Sequence, residues 1–114
     1  MEQFPKGKRL LTRLDYSRVF SKSKRIQNNT FTLLVHHNNQ ITQPKVGLVV
    51  SKKVDKTAVQ RNRIKRMIRE SFRTNHNLKL AEYVVMAKPR AATLSNRELM
   101  KALNQLWSQT EKNT

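Results

Sequence analysis

Two runs set the fold: Val46-Gly47-Leu48-Val49-Val50-Ser51, and then Ala58-Val59-Gln60-Arg61-Asn62-Arg63-Ile64-Lys65-Arg66-Met67-Ile68-Arg69-Glu70-Ser71-Phe72-Arg73. The first is short, rich in valine and apolar on both faces, which predicts a strand in a central rather than an edge position. Gly47 within it leaves room for close approach to the backbone. In the second run Ile64, Met67, Ile68 and Phe72 recur at i, i+3, i+4 and i+8. That spacing predicts an amphipathic helix from about Thr57 to Arg73 with one buried stripe.

On either side of this pair the pattern continues. Phe31-Thr-Leu-Leu-Val35 reads as a strand, and the polar stretch from His36 to Gln43 with Pro44 reads as a hairpin loop leading into the next one. Tyr83-Val-Val-Met-Ala87 is a further short strand. Thr12 with Asp15 fits a capping box that has Asp in place of Glu, opening a helix to about Ser21 with Tyr16, Val19 and Phe20 on one face. Ser95 with Glu98 is a full capping box, opening a last helix through Leu99, Leu103, Leu106 and Trp107, with Trp107 as a core anchor. The order α-β-β-(β)-α-β-α predicts an α+β fold, an α/β sandwich with helices packed on a mixed sheet of about four strands. At 114 residues the chain is expected to form a single domain over residues 1–114, its core lying between about residues 9 and 108.

Charge narrows the function. Twenty-four Lys and Arg oppose seven Asp and Glu, for a net charge of +17. A small compact protein with that excess repels itself unless a polyanion neutralises it, and nucleic acid leads over an anionic membrane surface as that polyanion. The excess falls in two zones. Residues 1–25 hold Lys6, Lys8, Arg9, Arg13, Arg18, Lys22, Lys24 and Arg25; residues 52–73 hold Lys52, Lys53, Lys56, Arg61, Arg63, Lys65, Arg66, Arg69 and Arg73, offset only by Asp55 and Glu70. Opposite the apolar stripe of the basic helix lie Asn62, Arg66, Arg69 and Arg73, flanked by Arg63 and Lys65. A face kept for solubility would mix signs in Glu–Lys pairs, whereas this one is nearly all positive and rich in Arg, whose planar fork binds phosphate oxygens two at a time.

Other chemistries find little footing. The absence of cysteine excludes disulfides, thiolate nucleophiles and sulfur-based zinc sites. His36 and His37 could ligate a metal, but adjacent histidines without a nearby carboxylate read more simply as exposed loop residues. His76 is framed by no serine or acid pair, so no protein nucleophile stands out. No signal-peptide stretch or membrane-length apolar run is visible, and the expected location is the cytoplasm.

The frame Val59-x-Arg61-Asn62-Arg63-x-Lys65-Arg66-x-x-Arg69-Glu70-x-Phe72-Arg73 resembles the signature of the bacterial ribonuclease P protein family. Val46-Gly-Leu-Val-Val-Ser51-Lys52-Lys53-Val54 before it is similar to the same family. So are Arg9-Leu-Leu-Thr12, the aromatics Tyr16 and Phe20, Tyr83-Val-Val-Met-Ala87-Lys88 and the closing Leu106-Trp107. The resemblance implies the protein subunit of a ribonucleoprotein endonuclease that removes the 5′ leader of precursor tRNA. It implies catalysis by an RNA subunit with bound Mg2+ and no catalytic residue on the protein; no metal site on the protein and no obligate protein partner are predicted. By position, Lys52, Lys53, Arg61, Asn62, Arg63, Lys65, Arg66, Arg69 and Arg73 would contact the RNA subunit, and Tyr16 and Phe20 would line a cleft for the leader. The family usually has two phenylalanines there, so Tyr16 is a departure; without the resemblance, core packing would explain both rings equally well. A left-handed strand–helix–strand crossover is also implied, against the general preference. The rival reading is a basic, ribosomal-type structural RNA-binding protein.

Overall fold

The computed structural model describes residue 9 and residues 13–38, 40–75 and 78–112. Its elements run α1 (Arg13–Lys22), β1 (Lys24–Gln27), β2 (Phe31–His37), β3 (Lys45–Val49), α2 (Ala58–Thr74), β4 (Ala81–Ala87), a 3-10 turn at Pro89–Thr93, and α3 (Asn96–Lys112). The four strands form one sheet in the order β1-β2-β4-β3. β1 with β2 and β2 with β4 are antiparallel, while β3 and β4 are parallel and joined through α2. α1 packs on one face of the sheet, and α2 with α3 on the other. The α+β class and the element order are as expected, with the optional strand present as Lys24–Gln27. Its sequence, Lys-Arg-Ile-Gln, shows too little apolar alternation to announce a strand.

Two expectations about the sheet are overturned. β2 and β3 do not form a hairpin, because β4 lies between them, and β2 runs on through His36 and His37 instead of ending in a loop. Residues 81–85 of β4 are all buried, so this strand takes the centre, where both its edges are paired. β3 is therefore an edge strand, not a central one. Its two-sided apolar pattern reflects packing on both faces: Val46 and Leu48 lie with the α2–α3 core, while Val49 lies with the α1 cluster. The edge itself is shielded. Arg9 forms a parallel bridge with Val46, and the Leu48 N–H donates to the Tyr16 hydroxyl at 3.2 Å.

Beneath α2 and α3 lies the main core, centred on Phe72, Tyr83 and Trp107, whose ring centroids are 5.5–6.2 Å apart in tilted and edge-on contacts. Trp107 is only 1% exposed, as expected of an anchor. Its indole N–H donates to Ser71 Oγ at 3.0 Å, and the Ser71 hydroxyl donates to the Ile68 carbonyl at 2.8 Å. The α2 stripe thus includes a buried serine that hydrophobic spacing could not reveal, while Met67 is only partly buried. The α3 capping box forms as read: Glu98 accepts from the Ser95 N–H at 3.0 Å and Ser95 Oγ from the Glu98 N–H at 3.2 Å. Thr12 lies outside the described residues; Asp15 accepts from Arg18.

Under α1 the apolar core is small: among the described residues it consists of buried Val19, Leu34 and Val84, with Tyr16, Val49 and Met86 packed around them. Gly47 governs this packing. A Cβ there would stand 2.6–2.8 Å from three atoms of the Tyr16 ring end, closer than atoms can pack. Gly47→Ala is therefore expected to push Tyr16 off the Leu48 N–H and to lower stability by roughly 1–3 kcal/mol. In a Tyr16→Ala background the same change should cost much less, giving a coupling of about 0.5–3 kcal/mol in a double-mutant denaturation cycle. Equal costs in both backgrounds would show that the ring does not require the glycine.

Candidate RNA-binding surfaces

The basic helix is organised from its N-terminus. Thr57 caps α2 by accepting from the Gln60 N–H, and Asp55 accepts from both the Thr57 N–H at 2.8 Å and its hydroxyl at 2.7 Å. Those bonds hold the Asp55 carboxyl below the usual carboxylate range. Ser51 to Val54 form a turn closed by the Val54 N–H on the Ser51 carbonyl, with Val54 buried and Lys52 and Lys53 exposed beside the start of the helix. Burying Ile64, Ile68, Ser71 and Phe72 turns Asn62, Arg66 and Arg73 fully outward, with Arg61, Arg63, Lys65 and Arg69 half-exposed at the flanks.

These cations are not equivalent. Arg61 Nη1 reaches back to the carbonyls of Asp55 and Lys56 at 3.0 and 2.8 Å, bracing the segment that leads from the Lys52–Lys53 turn into the helix. Arg63 donates through Nε to Gln60 and through Nη1 to Asn96 Oδ1 at 2.7 Å, tying α2 to the start of α3. A guanidinium has five N–H donors, so bracing by one or two of them orients the fork without exhausting it. Arg73 pairs with Glu70 at 2.8 Å, which reduces the field it adds. Sequence spacing could place these residues on one helix face but not reveal the tie from Arg63 to Asn96, which is distant in the chain.

On the opposite face of the sheet, the two aromatics of α1 have different surroundings. Tyr16 is half-buried over Gly47 with its hydroxyl engaged by the edge strand, whereas Phe20, one turn on, is 50% exposed. Close by, Glu82 is 1% exposed, a buried acid that the sequence reading did not single out. Arg18 grips both its oxygens, with Nε donating to Oε1 at 2.8 Å and Nη2 to Oε2. His36 Nδ1 lies 3.1 Å from the same Oε1, and Asn38 donates to it at 3.5 Å. The hydrogen bonds from Arg18 outweigh burial and hold the Glu82 carboxyl below its ordinary value, while Glu82 and Asp15 raise that of Arg18. The signal was a single acid inside an otherwise apolar strand.

His36 and His37 close β2 rather than sit in a loop, and His36 is partly buried against Glu82. Burial, then Lys24 and Lys79, push the His37 imidazole below its ordinary value. Among the described residues, no three or more His, Asp and Glu side chains gather into a group that could hold a metal. His76 lies outside the described residues.

The ribonuclease P family matches residues 4–111 of the sequence. The chain belongs to the ribonuclease P protein family. It is 47% identical over 105 residues to the ribonuclease P protein component of Vibrio campbellii, covering 91% of this chain and 88% of that protein. Identity to the component from Pseudoalteromonas translucida is 48% over 110 residues, covering 94% and 78% respectively. The fold superposes on a ribonuclease P protein structure from Staphylococcus aureus with a TM-score of 0.86 at 27% identity, covering 90% of this chain and 94% of that one. Membership makes the protein a component of the tRNA-processing endoribonuclease, with an RNA subunit as partner, and sets aside the ribosomal-type reading. Among the described residues no helix is long and apolar enough to cross a membrane.

Two outcomes follow from this geometry. Arg66→Ala with Arg69→Ala leaves the buried stripe of α2 untouched, so the fold should persist while affinity for the ribonuclease P RNA falls. The slope of log affinity against log salt should become shallower by about one to two units, and an unchanged slope would mean the face is merely solvated. For Glu82 the folded carboxyl titrates below its ordinary 4.5, so its stabilisation is fully present above that pH and lost as pH falls through the depressed value. The deficit of Glu82→Gln relative to the parent, measured by urea denaturation, should therefore shrink in acid; a deficit independent of pH would contradict this.

Proposed function

We propose that the protein binds the catalytic RNA subunit through the outer face of α2 and the 5′ leader of precursor tRNA in a cleft between α1 and the sheet. In this way it assists endonucleolytic removal of the leader to give the mature 5′ end. The observation that carries the reading is the outer face of α2, where Asn62, Lys65, Arg66 and Arg69 stand out opposite a mostly apolar contact stripe, with Lys52 and Lys53 exposed in the turn before the helix. Arg61 and Arg63, held by their braces, would meet the RNA backbone with less conformational entropy to lose than free side chains. The half-exposed ring of Phe20 supports the second part, since a flat apolar surface can stack on unpaired bases of any sequence. Tyr16 would line the same cleft mainly as a wall, its hydroxyl committed to Leu48.

In this proposal the reaction belongs to the RNA subunit. Magnesium would be held by the RNA, where it would supply an activated water and stabilise the leaving group. The protein's residues raise local affinity, orient the leader and neutralise phosphate charge, work that suits the bacterial cytoplasm where precursor tRNA is made.

RNA-free protein should not cleave precursor tRNA, and adding the RNA subunit with magnesium should restore cleavage at the leader junction. Protein-only cleavage would overturn the division of labour. Within the holoenzyme, Phe20→Leu keeps apolar bulk but removes the flat ring, so precursor affinity should fall by the worth of about one stacked base, roughly 1–3 kcal/mol. Affinity for mature tRNA should hold, because the leader is gone. Equal losses for both tRNAs would take Phe20 out of the cleft.

A further inference from the structure

The buried acid Glu82 and its partner Arg18 have no part in the function proposed above, and their placement suggests one. α1 is a ten-residue helix whose apolar anchorage is slight, with Val19 alone fully buried among its residues. Apolar contact is non-directional and leaves such a helix able to roll and slide on the sheet. Two polar attachments resist that. On one flank the Tyr16 hydroxyl accepts from the Leu48 N–H of β3; on the other, Arg18 grips Glu82 of β4 with a two-pronged, charge-assisted pair. At 3.6 residues per turn, Phe20 lies one turn beyond Tyr16, on the far side of Val19 from Arg18. Loss of the Arg18 attachment would let α1 roll about the Tyr16 side and re-aim Phe20.

We propose that the Arg18–Glu82 pair is a positioning device that fixes the pitch of α1 over the sheet, presents Phe20 to the leader strand, and so sets how well precursor is told from mature tRNA. This rests on the leader-cleft reading. Glu82 acts through Arg18 and not on RNA, since at 1% exposure it cannot reach a ligand. The groups around it fit a fixed post: His36 and Asn38 also bond its carboxylate, Asp15 holds Arg18 from the helix side, and Lys45 is its neighbour in register on β3. Arg18 is accordingly a neutralised cation, flanked by two acids, and a poor candidate for a phosphate contact despite belonging to the basic N-terminal zone.

The test uses reconstituted holoenzyme with Glu82→Gln, Arg18→Lys, Arg18→Ala and Phe20→Leu proteins, measuring dissociation constants for precursor tRNA, mature tRNA and the RNA subunit. Glu82→Gln should weaken precursor binding about tenfold, the scale of one stacked base, with mature tRNA and RNA-subunit affinities within about twofold of the parent. Arg18→Lys keeps the charge without the fork and should restore part of what Arg18→Ala loses. For Glu82→Gln and Arg18→Lys the single-turnover rate at saturating holoenzyme should stay unchanged, separating positioning from chemistry. A precursor-to-mature ratio that moves in Phe20→Leu but not in Glu82→Gln overturns the positioning role alone. A ratio that moves in neither overturns the leader-cleft reading itself. Loss in Arg18→Ala with none in Glu82→Gln would make Arg18 a direct RNA contact, and equal loss for both tRNAs would make the pair merely structural; both results overturn the proposal. Should Glu82→Gln not fold, the paired replacement Arg18→Met with Glu82→Leu removes both charges from the site and keeps its packing. It is expected to show the same precursor-specific loss, and parental discrimination would overturn the proposal.

Discussion

Ala81 to Val85 of β4 are buried without a break, and a strand in that condition needs a hydrogen-bonded neighbour on each edge and a packed layer on each face. Much of the architecture follows from meeting that need. β2 and β3 are split apart to flank β4, one antiparallel and one parallel. The parallel partner requires a long crossover, and α2 supplies it. Because α2 must bury one stripe against the sheet, its other side is left to solvent and can be made almost wholly cationic without touching the core. α3 completes that layer through Trp107 and Ser71, and α1 covers the other face, where the core is smaller and more polar.

Scarce acids are deployed with a consistent logic. Of the carboxylates whose side chains the structure describes, Asp55 orders the cap of α2, Glu98 caps α3, Glu70 pairs with Arg73, and Asp15 and Glu82 converge on Arg18. All but Glu70, whose pair with Arg73 lies on the surface of α2, serve a helix end or a helix attachment. Little negative charge is therefore left to offset Lys52, Lys53, Lys65, Arg66 and Arg69, and the net charge of +17 is concentrated on surfaces rather than averaged over them. A polyanion gains most from that arrangement, because the field is strong where its phosphates would lie and the fold does not depend on the exposed cations.

What the sequence made legible was whatever is decided locally. The α2 stripe, the Ser95–Glu98 box, the strand cores at Phe31–Val35 and Tyr83–Ala87 and the anchor at Trp107 all follow from spacing within one element. The misreadings share a cause, which is that coverage in space overrode the local pattern. β3 looks central because helices cover both its faces, although its outer edge is met by no full strand among the described residues, but by the Arg9 bridge and the Tyr16 hydroxyl. The supposed hairpin failed because a strand more than thirty residues later in the chain, β4, competes better for the place beside β2. The same limit applies to the site. The cationic face of α2 was visible as a charge pattern, but the tie from Arg63 to Asn96, the difference between Tyr16 and Phe20, and the Arg18–Glu82 pair depend on partners remote in sequence.

The two surfaces lie on opposite faces of one sheet, and this separation bears on how they could work together. α2 is held by a large aromatic core and by Arg63 to α3, so its basic face is a stiff platform. α1 rests on a small apolar patch and a few directional polar bonds, so its position is set more by geometry than by mass of contact. In the proposed function the first surface must recognise one constant RNA, for which rigidity lowers the entropic cost of association. The second must accept leaders of varied sequence, for which a flat stacking ring held at a set pitch by directional bonds is better suited than a dense, shape-specific pocket. The difference in packing between the two faces thus matches a difference between one fixed partner and many variable ones.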